Sequence, residues 1–353
     1  MKKYIIIALA AVVAFTACTK TNPEEKKSSS VISFQVANYV PQTKANVSLL
    51  GETEEFMSKA YLHANGVTGA QDYFGAAGET IQWFSADKEW RPAQTYYWPK
   101  SENSYLNFVS WFDNKTNTTA VTETTITWTC NDIAADQNFM WADEAWGYKN
   151  NTTTYQMDGQ AEPVGVPTLF HHALTKLSIK AKAATVSDGT TSWEITIENV
   201  SVSNNVKSAE LTLTNTLTEA GATAGTAPYT AAWESKGVAN FDVADSDVLT
   251  TNADDNILLD EKSVFPLLQA DEALNFDIRI KTYRGTELRG EEVVNKSILF
   301  NTLGDPAITA WNSNTKYTYT LIINPATNII KFDPAIEEWS TDDASAEYTY
   351  PEE

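Results

Sequence analysis

Phe276-Asp277-Ile278-Arg279-Ile280-Lys281 alternates apolar and charged residues with a period of two. Successive side chains of a strand point to opposite faces, so this stretch has one face to bury and one to solvate. Working outward, the same spacing returns in Glu194-Ile195-Thr196-Ile197-Glu198, Glu210-Leu211-Thr212-Leu213 and Leu177-Ser178-Ile179-Lys180. Further out it recurs in Tyr317-Thr318-Tyr319-Thr320-Leu321-Ile322-Ile323 and Ile329-Ile330-Lys331-Phe332. Towards the N-terminus it marks Leu106-Asn107-Phe108-Val109-Ser110-Trp111 and Ser33-Phe34-Gln35-Val36. Segments containing Asn, Asp, Gly and Pro separate these runs and supply turns. The pattern predicts an all-β chain of β-sandwiches, each strand burying one face. Thr53 to Tyr61 reads as a single short helix capped by Thr53. No short-period repeat is present.

The first residues set the compartment. Lys2 and Lys3 precede an apolar stretch, Tyr4 to Ala17, which is short for a membrane span. It ends in Phe15-Thr16-Ala17-Cys18, which resembles the lipobox of bacterial lipoproteins. That resemblance implies a signal peptide over 1–17 and acyl chains on Cys18, each buried CH₂ contributing about 0.8 kcal/mol to anchoring. Residues 18–30 are rich in Lys, Glu and Ser and read as a flexible tether. The remainder is long enough for two domains of ordinary size. A net charge of −21 excludes a basic stripe for phosphate neutralisation and hence nucleic acid as a partner. The chain has 2 cysteines, so lipidation of Cys18 leaves Cys130 without an intrachain partner. Gly159, Pro163, Gly165 and Pro167 interrupt the pattern and suggest a boundary, with an N-terminal domain at 31–166 and a C-terminal domain at 167–353.

Catalytic signatures are missing. No Gly-x-Ser-x-Gly, Gly-x-Gly-x-x-Gly, P-loop or His-Glu-x-x-His motif occurs, and no cofactor is implied. His171 and His172 are adjacent, so on a strand they face opposite ways and make a poor metal pair; one is expected buried and one exposed. Cys130, within Thr127-Trp128-Thr129-Cys130, reads as a buried thiol without a basic neighbour. Asp242, Asp245, Asp247, Asp254 and Asp255 lack EF-hand spacing and read as a solvated acidic loop. Trp83, Trp90, Trp98, Trp111, Trp141 and Trp146 all fall in the first half. Buried, they are core; exposed, they would form a stacking platform for sugars, as in a glycan-binding surface lipoprotein of the outer membrane. The core reading is preferred.

Four stretches resemble the fimbrillin family of Bacteroidetes, the pilins of type V pili related to the FimA and Mfa groups. They are Tyr96-Tyr97-Trp98-Pro99 followed by Leu106-Asn107-Phe108; Phe170-His171-His172-Ala173-Leu174-Thr175-Lys176-Leu177; Phe265-Pro266-Leu267-Leu268-Gln269; and Trp311-Asn312 with Tyr317-Thr318-Tyr319 and Ile336-Glu337-Glu338-Trp339. The resemblance implies two transthyretin-like β-sandwich domains in tandem and a structural, non-enzymatic role at the cell surface. It implies export as an outer-membrane lipoprotein, then cleavage by a trypsin-like surface protease in the loop behind the first strand. Loss of that strand opens a groove, which a strand of another pilin subunit fills. The matching parts here are a first strand with Val31, Ile32, Phe34 and Val36, and Thr43-Lys44-Ala45, where cleavage falls between Lys44 and Ala45. Lys44 stands where the family has Arg. Ala346, Tyr348 and Tyr350 alternate with Glu347 and Thr349; this segment is either the donor strand or the last strand of its own sheet.

Overall fold

The computed structural model describes residues 31–38, 50–87, 89–101, 103–149, 165–215, 225–304, 306–326 and 329–339. In chain order the first strands are β1 (Phe34–Asn38), β2 (Phe56–His63), β3 (Gln71–Asp72), β4 (Glu79–Phe84), β5 (Glu89–Pro92), β6 (Tyr105–Asp113), β7 (Thr118–Val121), β8 (Thr125–Cys130), β9 (Phe139–Ala142) and β10 (Glu144–Tyr148). They are followed by β11 (Val166–His172), β12 (Thr175–Ala183), β13 (Thr191–Thr214), β14 (Gly225–Ala227), β15 (Thr230–Asp242), β16 (Ile257–Val264), β17 (Ala273–Arg284), β18 (Glu287–Leu299), β19 (Thr315–Asn324) and β20 (Ile329–Glu338). The protein is all-β, and the described residues contain no α-helix. The expected helix at Thr53 to Tyr61 is instead largely β2. Phe56, Ser58 and Ala60 are buried in alternation, a period of two that a helix would scatter around its circumference.

The first sheet has ten strands in the order β14-β10-β6-β9-β11-β1-β5-β4-β2-β3, and β6 also pairs with β2. That extra pairing, Met57↔Trp111 through His63↔Tyr105, turns the sheet back on itself. The path β6-β9-β11-β1-β5-β4-β2 is therefore a closed ring rather than two facing sheets. Its interior holds Phe34, Phe56, Phe74, Phe108, Phe112, Trp90, Trp98 and Phe170.

The rest of the chain forms a four-stranded sheet, β16-β12-β19-β20, and a six-stranded sheet, β18-β17-β13-β8-β7, with β15 added on β13. A core of Leu177, Ile179, Ile195, Ile197, Phe276, Ile278, Tyr319 and Leu321 lies between them. The runs at 194–198 and 210–213, read as two strands, belong to one strand of 24 residues, β13. Asn199 and Asn204 sit within it at φ 54° and 59°. Asn tolerates this left-handed geometry, which kinks the strand and shifts its register without reversing it. The first half of β13 pairs with β17 and the second half with β8.

That second half carries a third core. Val206, Ala209, Leu211 and Leu213 pack with Ile126, Trp128, Cys130, Val109, Trp111 and Phe139. Trp128 is fully buried, stacks on Phe139 at 4.5 Å and donates from Nε1 to Asp113 Oδ2 at 2.8 Å. β6 separates this core from the ring, so both its faces are buried, not one. Its polar residues are paired accordingly: Ser110 Oγ donates to Ser58 Oγ at 2.9 Å, and Asn107 Oδ1 accepts from Gly147 N at 2.7 Å.

Strand pairing does not follow a cut between 166 and 167. β11 runs parallel to β1 and antiparallel to β9, inside the first sheet. β7 and β8 join the sheet built by β13, β17 and β18.

One buried carboxyl gives the fold a pH dependence. Glu144 is fully buried and accepts from Asn215 Nδ2 at 3.1 Å. Burial, with Glu123 nearby, pushes its pKa from 4.5 up to about 8. Between those values the folded chain keeps a proton that the unfolded chain has released, so stability falls as pH rises. Wild type should lose stability relative to Glu144→Gln as pH climbs from 4.5 to about 8, and the difference should level off above that. Denaturant titrations of both proteins across this range measure it; parallel curves would contradict it.

Candidate assembly site at the first strand

The chain enters the ring at residue 31. Val31 bridges to Tyr97, and Ile32 N donates to Tyr96 O at 2.9 Å. Phe34 faces Trp90 of β5 on one edge and Val166 of β11 on the other, and the parallel ladder with β11 continues to Asn38↔Phe170. β1 thus closes the ring between β5 and β11. Its alternation is expressed as the sequence demands: Ile32, Phe34 and Val36 are buried inward at 0, 2 and 5 % exposure. Ser33 and Gln35, on the other face, are buried too, so the strand is covered on both sides.

Phe34 is the hub. Its ring meets Phe56 at 5.7 Å and Phe108 at 5.5 Å, both edge to face, and Phe74 at 6.5 Å. Such aromatic pairs contribute about 0.5–1.5 kcal/mol each beyond area burial. Full burial of a large apolar side chain contributes about 1.5–3 kcal/mol. Three such side chains together weigh as much as the whole net stability of a modest domain, about 5–15 kcal/mol.

Two of the sequence motifs form the walls around this strand. Tyr96 supplies the carbonyl that takes Ile32 N–H, and its hydroxyl donates to Glu79 Oε1 at 2.6 Å; burial, reinforced by this bond, pushes its pKa up to about 12. Trp98 packs on Phe108 at 5.7 Å, edge to face. Phe170 packs on Phe56 at 5.2 Å. His172, at the far end of β11, is where the fourth motif arrives: Trp339 stacks on its ring at 4.0 Å, and Lys176 Nζ lies 4.7 Å over the indole. His172 Nδ1 is 2.9 Å from Asn138 Oδ1, and burial holds the imidazole neutral, its pKa depressed to about 3. Asn38 and Trp339, each the last residue of a described stretch, therefore lie at the same end of β11.

Gly165 was legible only as punctuation before the second half of the chain, yet it belongs to this site. Val166 N donates to Ser33 O at 2.8 Å, and Gly165 sits at φ +128° with its α-carbon against the first strand. A Cβ there would meet Phe34 C at 2.8 Å and Gln35 N at 3.0 Å. Phe56 and Phe74 are wall residues as well. The alternation in Phe56-Met57-Ser58-Lys59-Ala60 was the available signal for the first; Phe74, in a turn, gave none.

The other candidate residues are scattered. Cys18, Lys44, Ala45, Ala346, Tyr348 and Tyr350 lie outside the described residues. His172 is buried, while His171 is half-buried and 3.0 Å from Asp143 Oδ1 rather than exposed. Cys130 is buried, its thiol pKa pushed up to about 11 by desolvation. Asp254 pairs with Lys180 at 2.5 Å and Asp245 Oδ1 accepts from Val200 N, and the described residues include no cluster of His, Cys, Asp or Glu suited to a metal. Trp90, Trp98, Trp111 and Trp141 are buried, and Trp83 and Trp146 half-buried. None offers the exposed platform that a sugar-stacking surface needs.

The fold and site define an all-β protein whose N-terminal sheet is completed by its own first strand. The fimbrillin-like family model matches residues 42–339, and the chain belongs to that family. A crystal structure of a fimbrial protein from Bacteroides vulgatus ATCC 8482 has the same fold, at TM-score 0.51 and 14% identity, covering 88% of this chain and 99% of that one. The fimbrial anchor protein Mfa2 from Porphyromonas gingivalis is more distant, at TM-score 0.34 and 9% identity over 88% of this chain and 97% of that one. No curated protein matches the chain at a significant level.

The close approach at Gly165 generates a direct test. Gly165→Ala should destabilise the chain by about 1–3 kcal/mol in equilibrium denaturation, because the methyl meets backbone that cannot swing aside and the φ disfavours an L-residue. Unchanged stability would mean that β1 does not pack on Gly165.

Proposed function

We propose that the chain is a structural subunit of a cell-surface fimbria, assembled by strand exchange at the site of β1 and serving adhesion or biofilm formation. The observation that carries this is the position of β1. It is the N-terminal segment of the described body, it closes a ring, and its side chains are the hub of the ring's core. Remove it and backbone groups on β5 and β11 lose partners, each buried unpaired group costing about 1–3 kcal/mol. The aromatic pocket loses its filling at the same time. An incoming strand with alternating apolar residues restores both, which is the driving force of β-augmentation. Alternation also fixes its register, since a slip of one residue turns every side chain the wrong way.

The remaining steps follow the family resemblance. The chain is exported as a lipoprotein on Cys18 and held at the outer membrane by its lipid. A trypsin-like surface protease cuts between Lys44 and Ala45, in the segment that follows β1. The C-terminal segment with Ala346, Tyr348 and Tyr350 then serves as donor to another pilin subunit. In this reading the ring and the C-terminal pair of sheets are the two transthyretin-like units in tandem, joined by the third core. A stalk position is preferred.

Lys44 is the only basic residue between Lys27 and Lys59. Lys44→Ala should therefore leave a lipid-bound monomer on the cell, while truncation after Trp339 should leave a folded subunit that cannot extend the polymer. Immunoblots of unboiled surface fractions read both. Polymer ladders of normal length from the first variant would remove Lys44 from the mechanism, and from the second would place the donor elsewhere.

A further inference from the structure

A free strand edge is a template for pairing with another chain, and proteins usually blunt such edges. Among the described residues, most edge strands here carry a recognisable device. β3, β7 and β14 are two, four and three residues long. β15 shifts register against β13 at three places and carries Lys236. β16 shifts twice against β12 and has Glu261 at φ 44°. β20 has Pro334 in its middle.

β18 has fewer of these: its register against β17 shifts once, between Gly290 and Leu288, and it carries Lys296. It runs 13 residues, contains no proline, and pairs with β17 without a break from Ala273↔Leu299 to Thr282↔Gly290. Its outer edge has no partner strand. Val293 and Leu299 are exposed at 44 and 38 %. We propose that the free edge of β18 is a docking edge for β18 of a second copy of this chain, the two strands antiparallel about a two-fold axis at Val294.

Charge selects that register. In a two-fold antiparallel pair, residues equidistant from the axis lie opposite each other on the same face. An axis at Val294 sets Glu292 opposite Lys296 of the other copy, and it does so twice. Both side chains are exposed on the single chain. An axis at Glu292 or Lys296 would set like charges against each other, one at Val293 or Asn295 pairs no opposite charges, and one at Gly290, which would set Arg289 opposite Glu291, falls on the register shift. The Val294 register overlaps residues 290–298 of both strands, the stretch over which β18 pairs with β17 in unbroken register. A two-strand seam is smaller than a standard stable interface, so the pairing depends on concentration. It grows where many copies are held side by side. β18 and β1 lie in different sheets, and this inference does not rest on strand exchange.

Sedimentation velocity of the uncleaved full chain over a concentration series tests it. Wild type should show a reversible monomer–dimer equilibrium. Glu292→Lys and Lys296→Glu should each weaken dimerisation at least tenfold, and the double variant should regain it, because the reversed charges again face opposites. A monomer at every concentration, a dimer indifferent to the single reversals, or a double variant that fails to recover would each overturn the proposal.

Discussion

The insertion of Phe34 into a socket of Phe56, Phe74 and Phe108 is the contact on which the N-terminal half depends. Aromatic side chains from β1, β2 and β6 and from the turn at Phe74 converge on one point, and β1 alone bridges the edges of β5 and β11 and so closes the ring. A ring has no tolerance for a missing member. An open sheet that loses its edge strand exposes one new edge, whereas a ring that loses β1 exposes two edges and its core together. In the proposed mechanism, the same geometry that makes the intact chain stable would make the stripped chain receptive to a replacement strand.

The two halves of the chain are not independent beads. β6 has Leu106, Phe108 and Phe112 in the ring core and Val109 and Trp111 in the next core. β13 likewise serves the C-terminal core with its first half and the joining core with its second. Trp128 sits fully buried where they meet. Force applied at one end of the described body would pass through packed side chains and paired strands. The stack of Trp339 on His172 has a related effect, since it ties the last described residues to the strand that neighbours β1.

Much of this was legible in the sequence. Period-two spacing located β1, β6, β12, β17, β19 and β20, and the inward positions Ile32, Phe34 and Val36 are the buried ones. The first-half tryptophans read correctly as mostly core. Alternation reports which face of a strand is buried but not which strand lies beside it, so ring closure and the parallel pairing of Phe34 with Val166 left no local trace. For the same reason β6 looked half-solvated. The polar residues between its apolar ones, Asn107 and Ser110, are buried and hydrogen-bonded. Residues 53–61 misled because Glu and Met suit a helix and Thr53 suits a cap. Pairing with β6 and β4 outweighed those local preferences. Gly165 could not be told from a turn glycine without the strand it touches.

The central claim is that β1 occupies its socket only until the subunit is built into a fibre. Intact mass and N-terminal sequencing of the protein sheared from the cell surface test this most directly. The account predicts a chain that begins at Ala45, carries no lipid and lacks residues 31–38. A lipidated chain that begins at Cys18 and retains β1 in the sheared fibres would contradict it.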